Sequence, residues 1–279
     1  MIPEWQPVEE PRIPKAVWYV VPVVVLGAGL GGYLYYQKNK AEPPPPAAKA
    51  APLPAPAAEP APPAIAHPVP GDAAQAALPA LNDSDRALHD SLAKLADAKS
   101  LDQLLVPENL VRNLVVTVDN LPRSKTAVER RPLKAAPGGA AVVTAGDDIT
   151  LSEENYARYA PYISLVQSMD ARQLSTLYFH YYPLFQEAYE NLGYPDKYFN
   201  DRLVEVIDHL LATPTPKGPV KLTQPRVFYE YADPALEQLS AGQKLLIRMG
   251  NGNAAELKKK MREFRALIAK GPQPAATPE

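Results

Sequence analysis

The chain contains no cysteine among its 279 residues. This absence excludes a disulfide framework, a cysteine-ligated zinc site and a thiol nucleophile. An excess of charge of one sign is missing too, because the formal net charge is only −2. A near-neutral chain lacks the strongly basic field that nucleic-acid binding requires, so we predict no nucleic-acid partner.

Recognisable catalytic motifs are also missing. The sequence has no nucleophile elbow, no P-loop and no dinucleotide fingerprint, and it has only four histidines. We therefore predict no cofactor, no metal site and, in the first instance, no enzymatic activity. If the chain is nevertheless an enzyme, for instance a hydrolase with an unrecognised site, four polar residues on one predicted helix are the first to test. They are Asp201, Glu205, Asp208 and His209.

One long apolar run is present near the N-terminus. Residues 16–36 read AVWYVVPVVVLGAGLGGYLYY, 21 residues without a charge. A helix of that length spans roughly 30 Å, the thickness of the hydrocarbon core, and aromatic residues lie at both of its ends. The run predicts one transmembrane helix in the lipid bilayer, preceded by a cytoplasmic leader, residues 1–15. Gly27 and Gly31 form a G-x-x-x-G pattern, which leaves a homodimer through this helix open.

Proline and alanine dominate residues 37–77, which include four consecutive prolines at 43–46. Proline fixes φ and lacks a backbone donor, so neither helix nor sheet is expected there. This stretch is predicted to be a disordered linker, and His67 within it is not expected to be held in any site. The last residues, 271–279, are predicted to be a disordered tail.

The remaining residues, 78–270, predict a compact, mainly α domain. Capping residues or prolines precede its apolar stripes and mark predicted helix starts at Asp83–Ser84, Ser100, Pro107, Ser152, Asp170, Pro234 and Ser240. A clear amphipathic helix is predicted over 197–212. A short strand is predicted within 142–151, and a short hairpin is predicted within 220–231, with arms at 220–222 and 227–229.

Two surface features predict binding. Basic side chains cluster in the long loop after residue 120, namely Arg123, Lys125, Arg130, Arg131 and Lys134. They suit an anionic glycan, a lipid headgroup or an acidic partner, although a solvated loop explains them as well. Tyr156 and Tyr159 belong to a tyrosine-rich region, residues 156–198, that suits either a binding platform or aromatic packing between helices.

Five stretches of the domain carry a family resemblance: LNDSD (81–85), VTVDNLPR (116–123), NYARY (155–159), YPLFQEAYENLGYPDKYFNDRLVEVIDHLLATP (182–214) and YEYADPALEQLSAGQKLLIRMG (229–250). In these stretches the chain resembles a bacterial family of unknown function, domain-of-unknown-function family 3014. The resemblance implies a proteobacterial, envelope-associated protein with an N-terminal span, a Pro/Ala-rich arm and this domain. It implies no known reaction, cofactor or catalytic residue.

The predicted anchor, linker and helical domain, together with the absence of catalytic motifs, predict a membrane-anchored, non-enzymatic interaction module, and the family resemblance implies that it belongs to the bacterial cell envelope. Basic residues flank both sides of the apolar run, so the charge bias does not orient the helix. The family resemblance favours an inner-membrane, single-pass protein with a cytoplasmic N-terminus and the domain in the periplasm. Another envelope protein or the cell-wall polymer is the expected partner, and the same module facing the cytoplasm is the alternative topology.

Overall fold

The structure is a computed structural model that describes residues 64–70, 78–125 and 127–270. Its helices are α1 (Asp85–Leu92), α2 (Ala98–Leu104), α3 (Leu110–Asn120), α4 (Glu153–Ala157), α5 (Ala160–Ser168), α6 (Ala171–Asn191), α7 (Phe199–Leu211), α8 (Pro234–Glu237), α9 (Ala241–Arg248) and α10 (Asn251–Ile268). Its strands are β1 (Val142–Ala145), β2 (Asp148–Leu151), β3 (Lys221–Thr223) and β4 (Glu230–Tyr231). The predicted class, a mainly helical domain with short strands, is confirmed.

Side-chain caps begin several of the helices. The Asp170 carboxylate accepts the backbone N–H groups of Arg172 and Gln173 at the start of α6. Ser240 and Gln243 form a reciprocal capping box at the start of α9. These caps satisfy backbone donors that have no partner within the helix. The helix start predicted at Ser100 is wrong, because α2 is capped by Asp97, whose carboxylate accepts the Ser100 N–H.

Helix α3 has a cap that comes from far along the chain. The two carboxylate oxygens of Asp85 accept the N–H groups of Asn109 and Leu110, each at 2.7 Å. Asn109 has a left-handed backbone with φ 54°, which the short polar side chain of asparagine tolerates. Because of this turn the helix begins at Leu110 and not directly at the predicted Pro107. The first residue of α1 is thereby bound to the N-terminal end of α3.

The main core lies around α6, which packs against α3 and α10, while α10 also contacts α5 and α7. Its largest fully buried side chains include Tyr189, Phe199 and Leu101. Helix α6 continues through Pro183 and ends before Gly193, whose φ of 107° suits only glycine. The buried tyrosines of α6 therefore serve aromatic packing between helices, one of the two uses predicted for the tyrosine-rich region.

The four strands form one antiparallel sheet in the order β1-β2-β3-β4. The single strand predicted within 142–151 is a hairpin, in which Val142 is opposite Leu151. The hairpin predicted within 220–231 is present as the antiparallel pair β3–β4. Its second arm is not at 227–229, because β4 begins at Glu230 and the apolar side chains of Val227 and Phe228 are 79% and 80% exposed. Leu222 pairs instead with Tyr231, and both side chains are buried in a small second core.

The predicted linker needs one correction. Residues 64–70, which fall within the predicted linker 37–77, lie against the helical domain, and the His67 backbone N–H donates to Asp201 at 2.7 Å. The expectation that nothing holds His67 is wrong, because proline removes only its own backbone donor and leaves those of its neighbours available.

The predicted transmembrane segment 16–36, including Gly27 and Gly31, and the predicted tail 271–279 lie outside the described residues. Within the part that the structure describes, none of the helices combines the length and apolar character needed to cross a membrane.

Candidate functional site

A cleft of about 810 Å³ lies at one end of α3, α6 and α7. The turn between α6 and α7 forms one wall. Gln186 fixes this turn, because its amide donates to the Lys197 carbonyl at 2.9 Å and accepts the Phe199 N–H at 2.8 Å. Most lining residues are charged or aromatic: Asp119, Arg123, Tyr189, Tyr194, Asp196, Lys197, Tyr198, Asp201, Arg202 and Glu205. Ala64 and Ile65 complete the rim.

Asp119 is the central residue of this cleft. It is 3% exposed, at the C-terminal end of α3. Its carboxylate accepts hydrogen bonds from Arg202 Nε at 3.1 Å, from Arg123, and from the Tyr194 hydroxyl at 3.3 Å. Its backbone carbonyl also accepts from Arg202 Nη2 at 3.0 Å. A buried carboxylate requires such partners, so this network holds three elements of the cleft together.

The charges of the network are balanced locally. Arg202 also donates to Glu205 at 2.9 Å, so one guanidinium joins two carboxylates. The charge of Asp119 is the largest cause that raises the pKa of Arg123. Burial raises the pKa of Tyr189 to about 12, and the nearby Asp119 charge acts in the same direction. At neutral pH the cleft therefore presents charged arginines beside an uncharged tyrosine.

Aromatic rings form the other side of the cleft. The rings of Tyr189 and Tyr194 stack with centroids 4.7 Å apart. Lys197 Nζ lies 5.1 Å from the centroid of the Tyr194 ring, within the range of a cation–π contact. The Arg123 side chain is 52% exposed and donates to the Tyr194 hydroxyl at 3.0 Å. Arginine and tyrosine are enriched among the residues that contribute most of the binding energy at protein interfaces. In this cleft both residue types are held in place by hydrogen bonds.

The four residues proposed for catalysis do not converge on one site: Asp201 and Glu205 both line the cleft, whereas Asp208 and His209 do not. Glu205 pairs with Arg202 in the cleft, and Asp201 faces residues 66 and 67. Asp208 forms a bidentate ion pair with Arg265 of α10. His209 lies 2.9 Å from the Ser240 hydroxyl at the start of α9. Among the described residues, no group of three or more histidine, aspartate or glutamate side chains is placed to hold a metal ion.

The basic residues of the long loop are separated in space. Arg123 belongs to the cleft, whereas Lys134 donates to the Asp102 carbonyl at 3.0 Å on the surface of α2. Lys125, Arg130 and Arg131 are exposed. A single basic patch of five residues is therefore not formed, because the loop turns back towards α2 at residues 132–134.

The two tyrosines predicted to bind a partner lie elsewhere. The ring of Tyr156 packs against Gly250, where an added β-carbon would come within 2.7 Å of the ring. Burial is the largest cause that raises the Tyr156 pKa. Tyr159 lines a second cleft of about 590 Å³ together with Arg158, Phe228 and Arg248.

A family model described as "Protein of unknown function (DUF3014)" matches residues 110–265, more than half of the chain. The chain belongs to this family. No curated protein and no solved structure matches the chain. Every cleft-lining residue except Ala64 and Ile65 lies within the DUF3014 match. The DUF3014 core is nevertheless larger than the matched range, because Leu88 of α1 and Leu101 of α2 are buried in it.

Arg123, Asp201 and Glu205 of this DUF3014 cleft were named individually from the sequence. Its tyrosines at 189, 194 and 198 belong to the tyrosine-rich region, for which a binding platform was one of the two predicted uses. The other residues that build the cleft were not predicted. A signal for Asp119 was present. Val111 and Val115 are fully buried on one face of α3, and Asp119 is the next residue at the same spacing of four. A charged residue at a core position of an amphipathic helix indicates a buried partner of opposite charge.

Proposed function

We propose that this chain is a membrane-anchored interaction module of the bacterial cell envelope, with the cleft around Asp119 as its main contact surface. In this proposal residues 16–36 span the inner membrane and residues 78–270 lie in the periplasm. The partner is another envelope protein or the cell-wall polymer. The observation that carries the proposal is the basic and aromatic rim formed by Arg123, Tyr194 and Lys197, in which Arg123 and Lys197 both contact Tyr194.

The pairing of the ionisable groups supports binding more than catalysis. A general base or nucleophile must reach the substrate, but Glu205, Asp208 and His209 each contact another side chain of the domain. The cleft instead offers donors, acceptors and ring faces that are already oriented. Such preorganisation reduces the entropy lost on binding.

The contact surface can be tested by photocrosslinking in cells. A photoreactive amino acid at Lys197, which is exposed on the cleft rim, should give a defined adduct. The matched control is Lys259, an exposed lysine on α10. The adduct should disappear when Tyr194→Ala is added. The same adducts from both positions, or an adduct unaffected by Tyr194→Ala, would contradict the proposal.

The basic loop is tested separately by charge reversal at Arg130 and Arg131, which are exposed. If the loop contributes, the adduct formed at position 197 should weaken. If the adduct is unchanged, the loop has no part in partner binding.

The topology requires its own experiment. Alkaline phosphatase, and in a second strain a fluorescent protein that matures only in the cytoplasm, are fused after Lys270. Phosphatase activity without fluorescence is expected for a periplasmic domain. Fluorescence without phosphatase activity would contradict the proposed orientation and direct the search to cytoplasmic partners.

A further inference from the structure

Residues 64–70, with the sequence AIAHPVP, lie in a groove beside the cleft. The groove is formed by the first turn of α7 and the end of α10. The Asp201 carboxylate accepts the N–H groups of Ala66 and His67 at 3.0 Å and 2.7 Å. The Tyr198 hydroxyl accepts the N–H of Val69 at 2.9 Å.

Side chains of the groove accept every backbone N–H group in the middle of this segment. From residue 66 to residue 69, each backbone N–H is bound, and the one residue without an N–H is Pro68. Asn200 completes the set, because its Nδ2 donates to the His67 carbonyl at 2.9 Å. Recognition through main-chain atoms is how protein domains hold extended peptides.

The receptor side of the groove is held by the domain itself. Asn200 is fully buried, and its Oδ1 accepts the Tyr178 hydroxyl at 3.0 Å. Its Nδ2 also donates to the Ile268 carbonyl at 3.0 Å. The side-chain amide of Asn200 therefore forms hydrogen bonds with the domain core and with the segment at the same time. Tyr198, Asn200 and Asp201 lie within the matched DUF3014 range, whereas the segment lies outside it.

Side chains add selectivity at two positions. His67 Nδ1 lies 3.1 Å from the Ala269 carbonyl oxygen, so Nδ1 carries the hydrogen in this contact. Val69 packs against the main core. An extended segment with the order histidine, proline, apolar residue fits both positions.

We infer that this groove is a peptide-recognition site for extended His-Pro-Val segments, occupied here by the chain's own residues 64–70. A free peptide of the same sequence competes for it. Tyr198 and Asp201 also line the cleft, but Arg123, Tyr194 and Lys197, on which the proposed function rests, make none of the backbone contacts described here. The inference therefore goes beyond the proposed function, and it needs no membrane. The tethered segment has a local concentration in the millimolar range, so a free peptide binds well only when the segment is displaced.

The test uses a fluorescein-labelled Ala-Ile-Ala-His-Pro-Val-Pro peptide and the full chain in detergent, with fluorescence anisotropy as the readout. Val69→Asp in the chain places a charge against the core and should empty the groove. The peptide should bind the Val69→Asp chain at least about 10-fold more tightly than the unaltered chain. A peptide that carries the same valine-to-aspartate change should not bind.

The substitution Asp201→Asn tests whether the labelled peptide binds in the groove. Added to Val69→Asp, it replaces one acceptor of a backbone N–H by a donor and should weaken peptide binding at least about 10-fold. The matched control is Asp196→Asn, an exposed carboxylate of the neighbouring cleft, which should leave peptide binding unchanged. Equal binding with and without Asp201→Asn, or no binding to a Val69→Asp chain with unchanged circular dichroism, would overturn the inference.

Hydrogen exchange tests the same contacts without displacing the segment. In the unaltered chain the amides of Ala66, His67 and Val69 should exchange at least about 10-fold more slowly than in the Asp201→Asn chain. Equal exchange rates in the two chains would overturn the inference whatever the peptide does. Failure here would leave the crosslinking test at Lys197 unaffected.

Discussion

Replacing Asp119 by asparagine tests whether the buried carboxylate holds the cleft together. Asparagine keeps the size of the side chain and an acceptor for Tyr194, but it removes the negative charge between Arg202 and Arg123. The side chain of Asp119 is 4% exposed and that of Arg202 is 19% exposed. Removing one member of a buried ion pair costs about 3–5 kcal/mol, because the other charge is left without its partner.

The expected loss for Asp119→Asn lies at the lower end of this range. Arg202 keeps its ion pair with Glu205, and Arg123 is 52% exposed, so water can solvate it. We therefore expect the free energy of unfolding to fall by about 3 kcal/mol. Tyr194 and the turn that carries Lys197 should become more mobile, and the crosslinked adduct at position 197 should weaken.

Urea unfolding of the purified chain, followed by circular dichroism, measures this loss. The matched control is Asp148→Asn, which removes a bidentate ion pair with Lys221 in which both side chains are 60% exposed. An exposed pair contributes about 0–1 kcal/mol, so the control should unfold almost like the original chain. If the two variants lose equal stability, Asp119 does not organise the cleft and the reasoning is refuted.

Four further variants test how side chains are packed and buried in the domain. Gly242→Ala should reduce the free energy of unfolding by about 1–3 kcal/mol in urea titrations, since its β-carbon would lie 2.7 Å from Leu210 Cδ2; an unchanged midpoint would contradict this. Phe199→Ala should cost about 3–5 kcal/mol in the same assay because the ring is fully buried. The Phe228 side chain is 80% exposed, so Phe228→Ala should change the free energy of unfolding by less than about 0.5 kcal/mol. Equal losses for Phe199→Ala and Phe228→Ala would show that Phe199 is not buried as described. Burial raises the folded-state pKa of Tyr189 to about 12, so the unfolded chain loses this proton first. The stability that depends on protonated Tyr189 should be fully present below pH about 10 and should be lost as the pH rises towards 12. In unfolding curves measured across this range, Tyr189→Phe should reduce the loss.

The helices were predictable because their signals are local. Asp170 and Ser240 cap helices within three residues of their own positions, and the apolar stripe of α7 follows from its 3.6-residue period. The pairing of β2 with β3 was not predictable in this way. It joins Ile149 to Leu222 across a large separation in sequence, and only tertiary packing specifies it.

The cleft was predictable only in part. Arg123 was identified from its charge, but its partner Asp119 was hidden within an apolar helix. The groove for residues 64–70 was not predictable, because a high proline content indicates disorder. Proline prevents helix and sheet, yet it leaves an extended segment free to bind through neighbouring N–H groups, as Ala66 and His67 do.

The contact between Asp85 and the start of α3 affects how the protein can be divided for experiments. A fragment limited to residues 110–265, the range of the family match, begins at the first residue of α3. Such a fragment would lose the acceptor for the Leu110 N–H, and it would expose the apolar surface that Leu88 and Leu101 cover. A fragment that keeps the cap and this cover must begin at or before Asp85, and one that also keeps the buried Leu81 must begin earlier still. The unit that folds is therefore longer than the unit that sequence similarity recognises.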